Sequence, residues 1–409
     1  MSTTTGVHAM VRRNHELRVL AVLRAAGALS RAELAKRVGL SRTTLSEITA
    51  TLLERGAIVV VDTDAAHRRG SGRPAERLAL DPASGQYLGV DFGHRRVHVA
   101  VADASHEIVT SGLRRYDDDT DWTTRIGLAF DLVDRLGAEH GLHFGALQAI
   151  GIGVPGPYAK TGVSGSRVTW KRHGAPDDID VAFATRFRAP VMVDNNTRLA
   201  ALAEAVSNPE AVSDLVYVRL SDGVGGGLVV AGRLVTGARG FAGEFGHVTA
   251  DPAGPECRCG KRGCLETVAS VPAILAACRE RGVDVGSLDD LADAVAKADP
   301  VADAVLRDVG SALGRVLGAA AMSLDPDQVV VGGEVVHLAP VILEQTAATL
   351  RYELNSIPAA RPIVRVGRLR DSDGAFGALT ATFHQSPLLA EYPEPGDRAE
   401  ASESQRSAT

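Results

Sequence analysis

Cysteine is scarce in this 409-residue chain: Cys257, Cys259, Cys264 and Cys278 are all there is, and three of them fall within eight positions. That crowding makes a poor disulfide framework and a good set of metal ligands. Aromatic residues are few, at 4%. No apolar run approaches the roughly 18 residues that span a bilayer, and the amino terminus lacks the basic-then-apolar layout of a secretion signal. The expectation is therefore a cytoplasmic protein with no membrane partner. What remains is ordinary globular material, 45% hydrophobic and 23% charged. Over this length it suffices for two or three domains, each with its own core.

The charge is unevenly spread. Residues 1–80 hold 13 Lys/Arg against 7 Asp/Glu, leaving 31 against 43 for the rest. A basic head on an acidic body assigns any nucleic-acid contact to the head, although small domains often stray by several charges. Within the head, apolar residues recur at helical spacing in three stretches between Arg13 and Glu54. Leu17, Leu20, Val22 and Leu23 mark the first. Ser30-Arg31-Ala32-Glu33 has the form of a capping box and opens the second, where Leu34, Ala35 and Val38 face inward. Gly39 ends it and Ser41 caps a third helix over about 41–54, which buries Leu45, Ile48 and Leu52. Arg42, Thr43, Thr44 and Ser46 are left outward. Short hydroxyl side chains and an arginine suit a helix entering the major groove of double-stranded DNA. A plain helical hairpin would share this layout, and the residues after Glu54 separate the two.

Ala57–Val61 reads as a strand, Asp62–Arg73 as a loop and Glu76–Leu80 as a returning strand, which together make a wing. The expected fold of residues 1–81 is thus a winged helix-turn-helix. The loop contains Arg69 and, in Gly72-Arg73-Pro74, a sequence like the core of an AT-hook. An extended arginine there fits a narrow minor groove. The bland alternative is a solvated basic loop.

Beyond a short polar joint, Tyr87–Gly93 runs as a buried strand into a turn and Val97–Asp103 returns. Val216–Val230 repeats the device through Ser221–Gly227. Six short motifs occur in order along the chain: Gly151–Pro157, Val193–Asn196, Gly223–Gly227, Gly243–His247, Cys257–Glu266 and Val329–Glu334. Together they resemble the ROK family of repressors, open reading frames and sugar kinases, over residues 10 to about 385. The resemblance implies an α/β, two-lobed actin-like (ribonuclease H-like) domain with a structural zinc module. Its expected lobes are 86–205 and 206–370, with a helix near 374–385 returning to the first and a disordered tail at 387–409.

His247 stands ten residues before Cys257-x-Cys259-x-x-x-x-Cys264. Three thiolates and one imidazole form a closed tetrahedral set, the pattern of a structural zinc site; a metal-free reduced cluster is the alternative that spacing alone leaves open. Cys278 falls on an apolar helical stretch and reads as core. The ROK resemblance further implies that Asn195, Glu244, His247 and Glu266 hydrogen-bond sugar hydroxyls, with Gly156 and Asn196 beside them. Polar groups that both donate and accept are what a polyhydroxylated ligand requires.

The resemblance fails at the catalytic machinery. ROK kinases place an aspartate base where this chain has Asn196, whose amide cannot take a proton near neutral pH. Arg198 replaces a second asparagine. In the phosphate hairpins, His94 and Arg95 stand where small residues admit phosphate, and Asp222 sets a carboxylate against phosphate oxygens. The expectation is a regulator without kinase activity, most often a repressor in that family. It would act as a homodimer or homotetramer on a palindromic DNA operator and respond to a sugar-like effector. The alternatives are an active ATP-dependent sugar kinase with a DNA-binding head, and a zinc-dependent interaction scaffold without a small ligand.

Overall fold

The computed structural model describes residues 15–384 apart from 17, 24–25, 55, 64–75, 82–83, 85–86, 104–105, 146, 157–175, 177, 208–213, 356–361 and 370–372. The head is helical at 15–16 and 18–23 and in helices Arg31–Val38 and Arg42–Glu54. Ser30 makes the capping box in full: its Oγ accepts from the Glu33 amide at 3.3 Å, and Glu33 Oε2 accepts from the Ser30 amide at 2.9 Å. Gly39 ends that helix at φ 70°, in the left-handed region where glycine carries no Cβ penalty. Val19, Leu20, Leu34, Val38, Leu45, Ile48 and Leu52 close one core with Ile58 and Leu78 of the sheet. Each such side chain contributes about 1.5–3 kcal/mol by leaving water. Ser30→Ala removes the hydroxyl that accepts the Glu33 amide, while the residue 30 amide still faces Glu33, and should cost the head about 1 kcal/mol, read as faster hydrogen exchange confined to helix Arg31–Val38.

Three antiparallel strands complete the head, in the order Leu29–Ser30, Glu76–Leu80, Ile58–Thr63. The middle of these has the bounds read from the sequence. Ile58–Thr63 extends two residues past the expected end, because a register shift between Val60 and Asp62 lets Asp62 and Thr63 pair with Arg77 and Glu76. The first two residues of the expected loop therefore sit on the ladder. Arg69 and Arg73 lie outside the described residues.

Two further sheets have the same topology. The first runs Ile108–Arg115, Arg96–Ala102, Tyr87–Phe92, Ala149–Val154, Val191–Asn195; the second runs Arg233–Leu234, Val224–Val230, Leu215–Leu220, Gln328–Gly332, Ile363–Val366. In each, the first strand in sequence pairs antiparallel with the second and parallel with the fourth. The repeat legible as two hairpins thus covers five strands on each side. Helix Asn196–Val206 packs on the second sheet and helix Asp373–His384 on the first, and the two helices pack against each other. Glycines permit this closeness. A Cβ at Gly89 or Gly151 would meet the carbonyls of Ala375 or Ala378 at 2.3 and 2.2 Å, and one at Gly227 would meet the Ala201 methyl at 2.6 Å.

Among the described residues, the head meets the surroundings of the first of these sheets at His143. His143 Nε2 lies 3.3 Å from Asp81 Oδ2, and its ring rests on Gly56, just past the end of helix Arg42–Glu54.

Candidate ligand cleft and metal loop

Strands of both sheets deliver their carboxyl ends to one cavity of about 480 Å³, the usual place for a ligand in an α/β fold. From the first sheet come Gly93–Arg96, Pro155–Gly156 and Asn195–Asn196; from the second come Ser221–Gly225 and Gly333–Glu334. Glu244, His247, Arg258 and Glu266 close it. All six residues expected at the ligand site (Gly156, Asn195, Asn196, Glu244, His247 and Glu266) line this one space.

Asn195 caps helix Asn196–Val206: its Oδ1 accepts from the amides of Thr197 and Arg198 at 2.9 and 3.1 Å, while its Nδ2 donates to the Gly156 carbonyl at 2.6 Å. The cap aims the helix start at the cavity and ties Gly156 to it. Asn196 donates through Nδ2 to the Phe92 carbonyl at 3.2 Å, so an amide bridges two strand ends here. Burial pushes the Glu244 carboxyl above its ordinary range, opposed by the nearby Arg198 guanidinium.

The metal loop is compact. The ligand atoms of His247, Cys257, Cys259 and Cys264 all lie within 4.8 Å of one another. Cys257 Sγ is 3.6 Å from His247 Nδ1, and Cys259 Sγ is 3.5 Å from Cys264 Sγ. That sulfur separation is far beyond a disulfide bond of about 2.05 Å and suits two thiolates on one ion. Burial lowers the His247 pKa, which favours the neutral imidazole that a metal requires. Burial and the neighbouring thiols push Cys264 up to about 12, so a cation that displaces the protons relieves the crowding. The donor set can hold a metal ion. Gly263, at φ 64°, makes the loop possible: a Cβ there would sit 1.4 Å from the Asp251 carbonyl oxygen. Gly263→Ala should therefore prevent the loop from closing and abolish metal uptake, checked by metal analysis of the purified chain. Cys278 is fully buried in helix Val271–Glu280, outside the loop.

In the head, Ser41, Arg42, Thr43 and Ser46 are exposed at the start of helix Arg42–Glu54. Thr44 is half-buried, with its hydroxyl 2.8 Å from that of Ser41, whose Oγ also accepts the Thr44 amide at 3.1 Å.

Residues 87–384 match the model of the ROK family. The chain belongs to the ROK family. Residues 12–59 match a winged helix-turn-helix DNA-binding model, so this ROK protein joins such a head to the actin-like domain. Its relatives include a protein named xylose repressor from Caldicellulosiruptor bescii, 24% identical over 404 residues, covering 95% of this chain and 100% of the relative. The DNA-binding transcriptional dual regulator NagC of Escherichia coli is 26% identical over 378 residues, covering 89% and 91%. Among solved structures, a ROK family transcriptional regulator described as a homologue of the E. coli MLC protein shares the fold with a TM-score of 0.65, at 23% identity over 93% of this chain and 98% of its own. A ROK hexokinase from Thermus thermophilus matches with a TM-score of 0.61 and 27% identity over 73% of this chain and 99% of its own. The ROK fold thus occurs in both regulators and kinases, and the full-length relatives named here are regulators. Among the described residues, no helix is long and apolar enough to cross a membrane.

Several interactions in and around the cleft were not legible in the sequence. Arg258, between two metal-loop cysteines, forks onto Glu266 with Nε–Oε1 at 2.9 Å and Nη2–Oε2 at 3.0 Å. Arg96 reaches Glu334 across the cavity at 3.6 Å, linking the two sheets. Arg198, 1% exposed, pairs with Asp194 and donates to the Gly240 carbonyl. Asp91 is fully buried, and its carboxylate oxygens have no hydrogen-bond partner among the described residues. Only the position of Arg258 within the cysteine motif carried a signal that could have singled it out.

Proposed function

We propose that this ROK protein is a DNA-binding transcriptional regulator whose cleft senses a sugar-like effector without phosphorylating it. The observation that carries the reading is the exposed polar start of helix Arg42–Glu54 on a winged head, fused to a cleft with Asn196 at the base position. Ser41, Arg42, Thr43, Thr44 and Ser46 would meet the major groove, with Arg69 and Arg73 on the wing. The division is a head at 1–81, lobes at 86–205 and 206–370, and a tail at 387–409. The name of the xylose repressor among the relatives favours repression and a carbohydrate signal. In the cleft, Asn195, Glu244, His247 and Glu266 would bind hydroxyls, with Gly156 and Asn196 at their side. His247, Cys257, Cys259 and Cys264 would hold zinc, which fixes the loop that carries His247 and Glu266 to the ligand. A cytoplasmic homodimer or homotetramer would present two heads to a palindromic operator.

A duplex recovered by in vitro selection with the full chain supplies the probe for the DNA claim. Arg42→Ala should weaken binding to it about tenfold, the worth of one arginine–base contact. Unchanged affinity would refute the docking. For the cleft, ATP turnover with a panel of hexoses, pentoses and N-acetylated sugars should stay at background. Sugar-dependent turnover that disappears in Glu244→Ala would make the protein a kinase instead.

A further inference from the structure

Arg258 sits between two metal-loop cysteines and reaches away from them into the cleft. Its fork takes both oxygens of Glu266, and Glu266 Oε2 also accepts the Val224 amide at 3.1 Å. Val224 belongs to the second hairpin, so three segments meet at one carboxylate: the metal loop, the helix start at Glu266 and the turn at Gly223. Gly223 is shaped to this meeting. A Cβ there would lie 2.9 Å from Glu266 Oε2 and 3.1 Å from Arg258 Nη2. Arg258 Nη1 has no hydrogen-bond partner among the described residues, and the side chain, 44% exposed, lines the cavity.

We propose that Arg258 is a positioning residue that transmits the state of the metal loop to the effector pocket, by holding Glu266 in plane against the Val224 amide. This rests on the reading of the cleft as a ligand site with a metal-held loop. The physical basis is the fork itself. A guanidinium engages both carboxylate oxygens at once and fixes their plane, which a single ammonium does not. With the metal in place, Cys257 and Cys259 pin the backbone on either side of Arg258. With the metal gone, the base of the fork is free to shift, and Glu266 loses its fixed direction. A ligand hydroxyl arriving at Glu266 would then meet a mobile acceptor, and Nη1 would no longer stand beside it as a donor.

The Val224 amide is a built-in reporter that needs no effector. Hydrogen exchange of the full chain should show the segment 221–228 exchanging about tenfold faster after zinc is stripped by a chelator, as expected when a charge-assisted hydrogen bond loosens. Arg258→Ala should give the same rise while zinc content and melting temperature stay unchanged. Arg258→Lys should not restore slow exchange. In Glu266→Gln, removing Arg258 should add nothing further. Gly223→Ala, which leaves Arg258 intact, should also speed exchange by displacing the fork. Slow exchange retained in zinc-loaded Arg258→Ala, or no response to stripping in the wild type, would overturn the proposal. Absence of sugar or DNA binding would count against the proposed function and leave this readout unaffected.

Discussion

Glu204→Ala should remove about 3–5 kcal/mol of stability, the usual cost of breaking one partner out of a buried ion pair. Glu204 is 1% exposed on helix Asn196–Val206. Its Oε2 accepts from Arg365 Nη1 at 2.8 Å, and its Oε1 accepts from the Leu369 amide at 2.9 Å and from the Arg368 amide. Arg365 also donates to Gln328 Oε1 at 2.7 Å. One carboxylate therefore joins the helix that begins at the ligand cleft to the segment that leads into helix Asp373–His384. Truncation strands a guanidinium and two amides in a place water reaches poorly. Glu204→Gln keeps an acceptor and should cost less. Urea unfolding followed by circular dichroism measures both, and equal losses would show that one neutral acceptor cannot replace the charged carboxylate at this joint.

The second large effect falls on the metal. Cys264→Ser should lower zinc affinity by more than about 100-fold, since even partners standing behind a ligand are worth 10- to 100-fold. Cys264 is fully buried, and a serine hydroxyl neither ionises there nor reaches as far as a thiolate. Competition with a chromogenic chelator reads the change directly. Cys278→Ala is the control. It removes a buried thiol from the helix core and should cost some stability without changing the metal stoichiometry. Zinc retained by Cys264→Ser would mean that the cluster is held by packing alone.

The sequence was most readable where local rules and function coincide. Ser30–Glu33 announced its capping box, and the Cys257–Cys264 spacing announced a ligand set. The six residues expected at a ligand site came from motifs in family order, and all of them line one cavity. It was least readable where contacts depend on distant pairing. The extension of Ile58–Thr63 came from a register shift against Arg77 and Glu76, which no window around Asp62 encodes. The links Arg96–Glu334 and Arg365–Glu204 each join an ordinary-looking arginine to a carboxylate chosen by topology. Charge patterning alone cannot say which arginines face solvent and which are bound inside.

The glycine-faced sheets have a mechanical meaning. Where Gly89 and Gly151 lie under helix Asp373–His384 and Gly227 under helix Asn196–Val206, the helix seats directly on sheet backbone, while Tyr87 beside them interlocks with Phe383. Interdigitated cores shift between discrete arrangements, whereas bare backbone under a helix offers few teeth to disengage. The two packed helices therefore run on smooth tracks with aromatic catches at the side, Tyr87 against Phe383 and His98 against Phe376. Each methyl group added to those tracks would act as grit.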